Sequence, residues 1–343
     1  MHVKKQKKLR IIEQKEIIKY TGNCFNLFNA TNWLNVLSRT YNLKFQAVVD
    51  DNGFILPFCH IKERFFSSVK SIPFGDYTLN NCDNNLLNES LHFLKTKFPE
   101  SYIETSVVKN LDSNFGDFSV SKYGYLIQID IKKWKESRNW KEAYERNIRN
   151  ALNYGLAVKI NKTYEGLENF YRLHEQLRIK KFKKLPQPKR FFSAIYDEFI
   201  KHNKGFLLEA WDKNKLIASW VILEHGQILY YKFGASDLVH LSLRPNDLLF
   251  RSLMQYGSDK GFKTIDLGFS GATKSYEGLI RFKSKEGGVK TPIYRIERYP
   301  ENFNYNILNQ KSEYLTKITT AALETKSISI IRKTSDEHYG EFA

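Results

Sequence analysis

The chain has 343 residues, 42% of them hydrophobic and 15% aromatic, with a formal net charge of +17, which gives material for two medium cores, and two domains are expected. No apolar run reaches the roughly 20 residues of a membrane helix, and the basic start MHVKKQKKLRIIEQKEIIKY lacks the apolar stretch of a leader because Glu13, Lys15 and Glu16 interrupt it. Cys24, Cys59 and Cys82 lack Cys-x-x-Cys spacing, which argues against a disulfide framework or a structural zinc site and for a reducing cytoplasm.

In chain order, NATNWLNVLSRTYN predicts a helix with Trp33, Leu34, Leu37 and Tyr41 on one face. KFQAVVDDNGFILPFCHI predicts a hairpin around Asn52 and Gly53. A helix follows over NNLLNESLHFLKTKF, then strands over 101–108 and 122–131. One long helix is expected over 131–154, ending at Gly155 in a left-handed conformation. Strand 156–161 leads into helices over GLENFYRLHEQLRIKK and KRFFSAIYDEFIKH, with His174 packed at the edge of the first. Strands GFLLEAWD, LIASWVILEH and QILYYKFG form a meander, a helix runs from Pro245 to Gly261, and strand TIDLGFS follows. A short helix near 276–284 and strand TPIYRIERY complete the unit. The layout is α/β with mixed sheets. The expected parts are a first domain 1–140, a second 141–300 with a cleft between them, and a tail 301–343 packing back on the first through YLTKITTAAL.

Charge is uneven. Residues 131–190 hold 17 Lys and Arg against 6 Asp and Glu, concentrated in RIKKFKKLPQPKR, with a smaller patch at KKQKKLR. Such patches suit nucleic acid, anionic lipid or a phosphorylated substrate; a solvated helix face is the plain alternative. The junction YYKFGASDLVHLSLRPNDLL is more specific. A strand leaves through Phe233 and Gly234, and a helix starts at Pro245, so Arg244 and Asn246 flank a helix N-terminus that attracts negative charge. Arg244 can bind a phosphate or carboxylate through its planar fork, or serve as a pin to a loop carbonyl or Asp237. Tyr231 or Lys232 is expected to face the cleft, the rest of the strand being core.

The stretches NIRNALNYG (147–155), FYRLHEQLR (170–178), LPQPKRFF (185–192), YYKFGASD (230–237), LRPNDLL (243–249), IDLGFSG (265–271) and GLIRFKSKEGG (278–288) occur in one order. Together they resemble the Fem-type peptidyl transferases and their shorter FemAB-like acyltransferase relatives, tandem-domain members of the GNAT superfamily. The first third matches loosely, through WLNVLSRTY and IPFGDYTLN. The resemblance implies two tandem GNAT-like domains, the first degenerate.

It also implies acyl or aminoacyl transfer to an amine or hydroxyl of a cell-envelope precursor. The donor would be aminoacyl-tRNA, or an acyl thioester on coenzyme A or a carrier protein, with no bound cofactor or metal. The place would be the cytoplasm or the inner membrane face. Lys283, beside Phe282, is implied as an electrostatic stabiliser of the tetrahedral oxyanion. Asp266 would orient it or take a proton, or act as a turn residue. Substrate contacts are implied at Arg244, Asn246, Tyr231, Lys232, Phe282, Tyr276 and Arg149. Two features depart from the family. The junction at 243–247 has no glycine and carries Asp247, which disfavours a pyrophosphate cradle. The family's lysine four residues after the first-domain Trp is replaced: Trp33 is followed by Leu37, with Arg39 nearby, and the coiled-coil insertion of some Fem enzymes is missing. A basic module without chemistry, binding RNA or an anionic surface, is the competing reading; convergence of Arg244, Asp266 and Lys283 on one pocket would decide between them.

Overall fold

The computed structural model describes residues 9–20, 26–80, 83–108, 114–136, 142–285 and 287–342. The first half runs β1 (Arg10–Glu13), α1 (Gln14–Ile17), α2 (Thr31–Tyr41), β2 (Phe45–Val49), β3 (Ile55–Lys62), β4 (Ser67–Lys70), β5 (Leu79–Asn80), α3 (Asn84–Lys97), β6 (Tyr102–Val108) and β7 (Ser119–Asp130). Then come α4 (Ile131–Glu136), α5 (Glu142–Tyr154), β8 (Leu156–Asn161), α6 (Tyr164–Gln176) and α7 (Lys189–Glu198). β9 (Gly205–Asp212), β10 (Lys215–His225), β11 (Ile228–Ser236), α8 (Pro245–Asp259), β12 (Thr264–Gly271), α9 (Glu277–Lys285) and β13 (Val289–Arg298) form the rest of the second half. Helices α10 (Asn306–Glu324) and α11 (Ile328–His338) make the tail.

The local signals in the sequence act where expected. Gly53 takes φ +91° in the β2–β3 turn, Gly155 takes φ +95° after α5, and Pro245 opens α8. The long helix expected over 131–154 is two helices, α4 and α5; residues 137–141 between them lie outside the described residues. So do most of the KKQKKLR patch, Cys24 and Cys82. Cys59 is buried and free.

Sheet order shows a duplicated plan. In the first half, antiparallel β1, β2, β3 and β4 lead to β6, which is parallel to β4 and reached through α3. In the second, antiparallel β8, β9, β10 and β11 lead to β12, parallel to β11 and reached through α8. Each half is closed by the other half's last strand. β13 lies antiparallel to β6, and β7 lies antiparallel to β12. Because β13 also pairs with β7, one continuous sheet runs through the molecule. This corrects the expectation of two side-by-side domains with a sheet each: cuts at 140 and 300 leave β7 and β13 each in the other half's sheet. Strand exchange is invisible to a pattern read along the chain.

The core is shared as well. On one face α2 packs on α7, with the Trp33 ring edge-on to Phe191 at 6.1 Å and Arg39 paired to Asp197 at 2.7 Å. Trp33, Leu34, Leu37, Phe191, Phe192 and Tyr230 are buried in one cluster that draws on both halves. Each such side chain contributes roughly 1.5–3 kcal/mol by leaving water. On the opposite face α5 and α8 cover the second half, and α3 covers the first. The tail was expected on the first half; it spans both. Tyr314 packs on Phe65 at 5.6 Å and Lys311 pairs with Glu63, while Arg332 grips Glu175 of α6 at 2.7 and 2.9 Å.

Candidate active site

β11 and β12 are paired only over Ile228–Tyr230 and Thr264–Asp266, and then part. Both strands are irregular at that point. Between Val221 and Ile222 the β10–β11 register shifts, leaving Lys232 as the extra residue, and the β12–β7 register shifts between Asp266 and Phe269. Bulges of this kind re-aim side chains and end pairing. Gly268 sits in the second with φ +72°, and a Cβ there would lie 3.0 Å from Asp76 Oδ2. Conformation and close approach both call for glycine at this position.

Asp266, at the parting point, is 1% exposed. Its Oδ1 accepts the Gly268 N–H at 2.7 Å; its Oδ2 accepts the Tyr77 hydroxyl at 3.1 Å and the Gln128 amide at 3.2 Å. Burial first, and then the charge of Asp76, push this carboxyl up to about 6. Lys283 comes in from α9 and is 3% exposed. Its ammonium donates to Gly268 O at 3.1 Å, Phe269 O at 3.0 Å and Ser270 Oγ at 3.0 Å, and burial lowers it to about 8. Burial thus moves both groups toward neutral pH, the range in which acid–base chemistry works. They do not bond to each other. Gly268 stands between them, giving its N–H to one and its carbonyl to the other, so the backbone of β12, rather than Asp266, orients the lysine.

The first half completes the site. Asp76 pairs with Lys232 at 2.9 Å, and the Lys232 ammonium also lies 4.5 Å from the Phe28 ring centroid, 5.0 Å from Trp33 and 5.7 Å from Phe233. This buried cation is held by one carboxylate and an aromatic box. Tyr77 bonds Tyr230 as well as Asp266, and Tyr230 accepts the Leu27 N–H at 3.1 Å. Asp76, Tyr77 and Gln128 carried no signal in the sequence: two sit in a loop, and the third reads as one more residue of a strand. Asp76 and Tyr77 lie within the loosely matching stretch IPFGDYTLN, which did not single them out.

Of the nine residues implied by resemblance, Asp266, Lys283 and Lys232 come together. Arg244 stands apart, exposed, with φ +61° as the cap of α8. Asp237, its suggested partner, is instead engaged by Lys215 and His240. The expected three-way convergence is therefore two-way. Asn246 is a structural pin, its Oδ1 accepting from Trp220 Nε1 at 3.1 Å and Ser236 Oγ at 3.0 Å. Tyr231 packs into the second half's core, 4.5 Å from Trp220, with its hydroxyl over Gly234. Phe282 is half-buried against the same core, Tyr276 lies edge-on to Phe269 at 6.0 Å, and Arg149 is exposed on α5. His174 is not at an edge: it is buried among Phe170 and Phe192, bonds Gln187 at 2.7 Å and is lowered to about 3 by burial. Arg39 ties α2 to α7 rather than standing in for a site lysine. Lys183 and Lys184, with Arg178, rim a groove of about 460 Å³ against α10 that Asp266 and Lys283 do not line.

Residues 138–283 match the family model of the acetyltransferase (GNAT) domain. No curated protein matches the sequence. By structure the chain is similar to FemX, at 16% identity and a TM-score of 0.60, covering 84% of this chain and 96% of FemX. It is also similar to L-PGS from Bacillus licheniformis, at 13% identity and 0.59, covering 88% and 96%. The C-terminal domain of a putative lysylphosphatidylglycerol synthetase from Agrobacterium fabrum scores 0.59 at 11% identity, covering 88% and 97%. These likenesses concern the fold.

Coenzyme A, the donor that the domain family suggests, is a poor fit to these residues. At the β11–α8 junction Pro245 offers no N–H, the Asn246 side chain is already bonded, and the buried carboxylate of Asp247, bonded to Asn147 at 3.0 Å, adds negative charge to the same turn. Residues 138–283 are thus similar to a GNAT-type acetyltransferase domain, and the chain that carries them has a fold like that of FemX.

Proposed function

We propose that this chain transfers an aminoacyl or acyl group to an amine or hydroxyl of a cell-envelope precursor, with aminoacyl-tRNA favoured over an acyl thioester as donor. The observation that carries the reading is the pairing of Asp266 and Lys283 across Gly268 where β11 and β12 part. The poor fit of the junction to a pyrophosphate favours a donor that does not enter through it. Two structural neighbours are named FemX and lysylphosphatidylglycerol synthetase, the latter for a product in which lysine is joined to a lipid. No helix among the described residues is long and apolar enough to cross a membrane. The proposed setting is the cytoplasm or the inner face of the membrane.

In this mechanism the acceptor nitrogen or oxygen attacks the donor's ester carbonyl carbon and forms a tetrahedral oxyanion. Asp266, a carboxylate at neutral pH, takes the proton that the acceptor gives up. Lys283 places positive charge where the oxyanion develops, in a setting with little water. It must exchange one of its three internal bonds to do so, and the Ser270 hydroxyl is the partner that can rotate away. Collapse expels the donor's alcohol, which recovers the proton. Arg244 is proposed to steer an anionic part of a substrate toward the start of α8. The test is mass spectrometry of products after incubating the full chain with charged tRNA or acyl-CoA and with peptide, sugar-peptide and lipid acceptors. A product formed by wild type and by Lys283→Met and Asp266→Asn alike would reject this site.

A further inference from the structure

Two non-glycine residues with left-handed backbone lie two positions apart in the segment linking β4 to β5: Ile72 at φ +53° and Phe74 at φ +59°. For a β-branched or bulky side chain this conformation is a true outlier, and such strain persists only where surrounding structure imposes it. Segment 71–78 is fastened at both ends to β6, by Ser71 N–H to Glu104 O at 2.9 Å and Thr78 N–H to Ser106 O at 2.8 Å. Between those ends it turns tightly, with Gly75 N–H on Ile72 O at 3.1 Å. Its inward residues are Asp76, on Lys232, and Tyr77, on Asp266.

What holds its outward side comes from α2 and from the far end of the chain. The Phe74 ring is stacked on Tyr41 of α2 at 4.6 Å and on Tyr339, just past α11, at 5.9 Å. Tyr339 is 8% exposed. Helix α11 is fixed independently on the second half, by Arg332 on Glu175 at 2.7 and 2.9 Å and by Arg190 Nη2 on Asp336 O at 2.6 Å. A helix seated on the second half thus presses one ring onto a strained first-half loop, and that loop delivers two side chains to the parting strands.

We infer that Tyr339 is a positioning residue: with α11 it clamps segment 71–78 in the conformation that sets Asp76 on Lys232 and Tyr77 on Asp266. The strain supplies the reason for a clamp. Without the ring of Tyr339, Ile72 and Phe74 regain the option of ordinary backbone angles, and relaxing them turns Asp76 and Tyr77 away from the site. The clamp itself follows from packing; its effect on catalysis rests on the acyl-transfer reading above.

The test uses the full chain with Tyr339→Ala and Tyr339→Phe. Hydrogen exchange followed by mass spectrometry should show amides of 71–78 exchanging at least about tenfold faster in Tyr339→Ala, with β9–β11 unchanged and Tyr339→Phe close to wild type. Transfer by Tyr339→Ala should fall at least about tenfold in kcat with KM little changed, its acid limb should move, and Tyr339→Phe should restore both. Unchanged exchange in 71–78, or acceleration spread over all peptides, overturns the clamp. A loosened segment with full turnover overturns the positioning role. If wild type transfers nothing from any donor, the function proposed above fails, and exchange still decides the clamp. Should Tyr339→Ala not fold, Tyr339→Leu keeps the bulk, removes the stack, and is read by the same outcomes.

Discussion

Lys283→Met tests the site most directly, and the structure sets its magnitude. The fall of this amine from 10.5 to about 8 means that burial disfavours the ammonium by about 3 kcal/mol in the folded chain. Methionine removes that penalty and keeps most of the apolar stem. It also leaves the Gly268 and Phe269 carbonyls, which Lys283 bonds at 3.1 and 3.0 Å, without this donor. Each such loss costs about 1–3 kcal/mol. The two effects are opposite and similar in size, so the variant should fold and melt near wild type at pH 7. Turnover should nonetheless drop by about 10²–10³ in kcat, the loss typical of one electrostatic donor in a dry site. A second signature concerns stability alone. Between pH 8 and 10.5 the unfolded chain binds this proton and the folded chain does not, so wild-type stability should rise with pH across that window. Lys283→Met should lack that rise. Thermal melts at pH 7, 8, 9 and 10 alongside product formation by mass spectrometry make the measurement. Full turnover in the variant, or the same pH dependence of melting as wild type, would refute the reasoning.

Four further outcomes are expected. Asp266 runs the other way: raised from 3.8 to about 6, it should make the folded chain lose stability as pH rises from 4 to 6, and Asp266→Asn should flatten that slope in pH-dependent melts. Lys232→Met leaves the partly buried Asp76 carboxylate without its cation and should destabilise by about 1–3 kcal/mol in urea unfolding, whereas Lys232→Met with Asp76→Asn should recover much of it; equal losses would mean the pair is not coupled. Arg244→Ala should raise KM for the anionic substrate more than it lowers kcat, and a pure kcat effect would move Arg244 out of binding. If the exposed Lys180, Lys181, Lys183 and Lys184 neutralise phosphates, their change to Gln should weaken binding of tRNA or anionic vesicles and reduce the log–log salt slope by about one for each phosphate left unneutralised; an unchanged slope leaves them a solvated face.

The elements of the second half, and most of those of the first, were legible in the residues alone. Period-2 and helical patterns placed the meander β9–β11, and Pro245 and Gly155 marked helix ends, because these signals act through the local backbone. Lys283 and Asp266 were singled out through a resemblance carried by short motifs in order. The exchange of β7 and β13 emerged only in three dimensions, since pairing partners more than a hundred residues apart leave no local trace. So did the surroundings of each candidate side chain. Tyr231 and Lys232 are neighbours in sequence, yet a bulge sends one to a core and the other to Asp76. Asn246 at a helix start looks like an anion contact until Trp220 and Ser236 are seen to occupy it. Asp76 was silent because its importance comes from reach: a strained loop of the first half, held by Phe74 against Tyr41 and Tyr339, brings it to strands more than 150 residues away. Local sequence sets what each segment can become, and the packing of distant segments sets which polar groups meet without water.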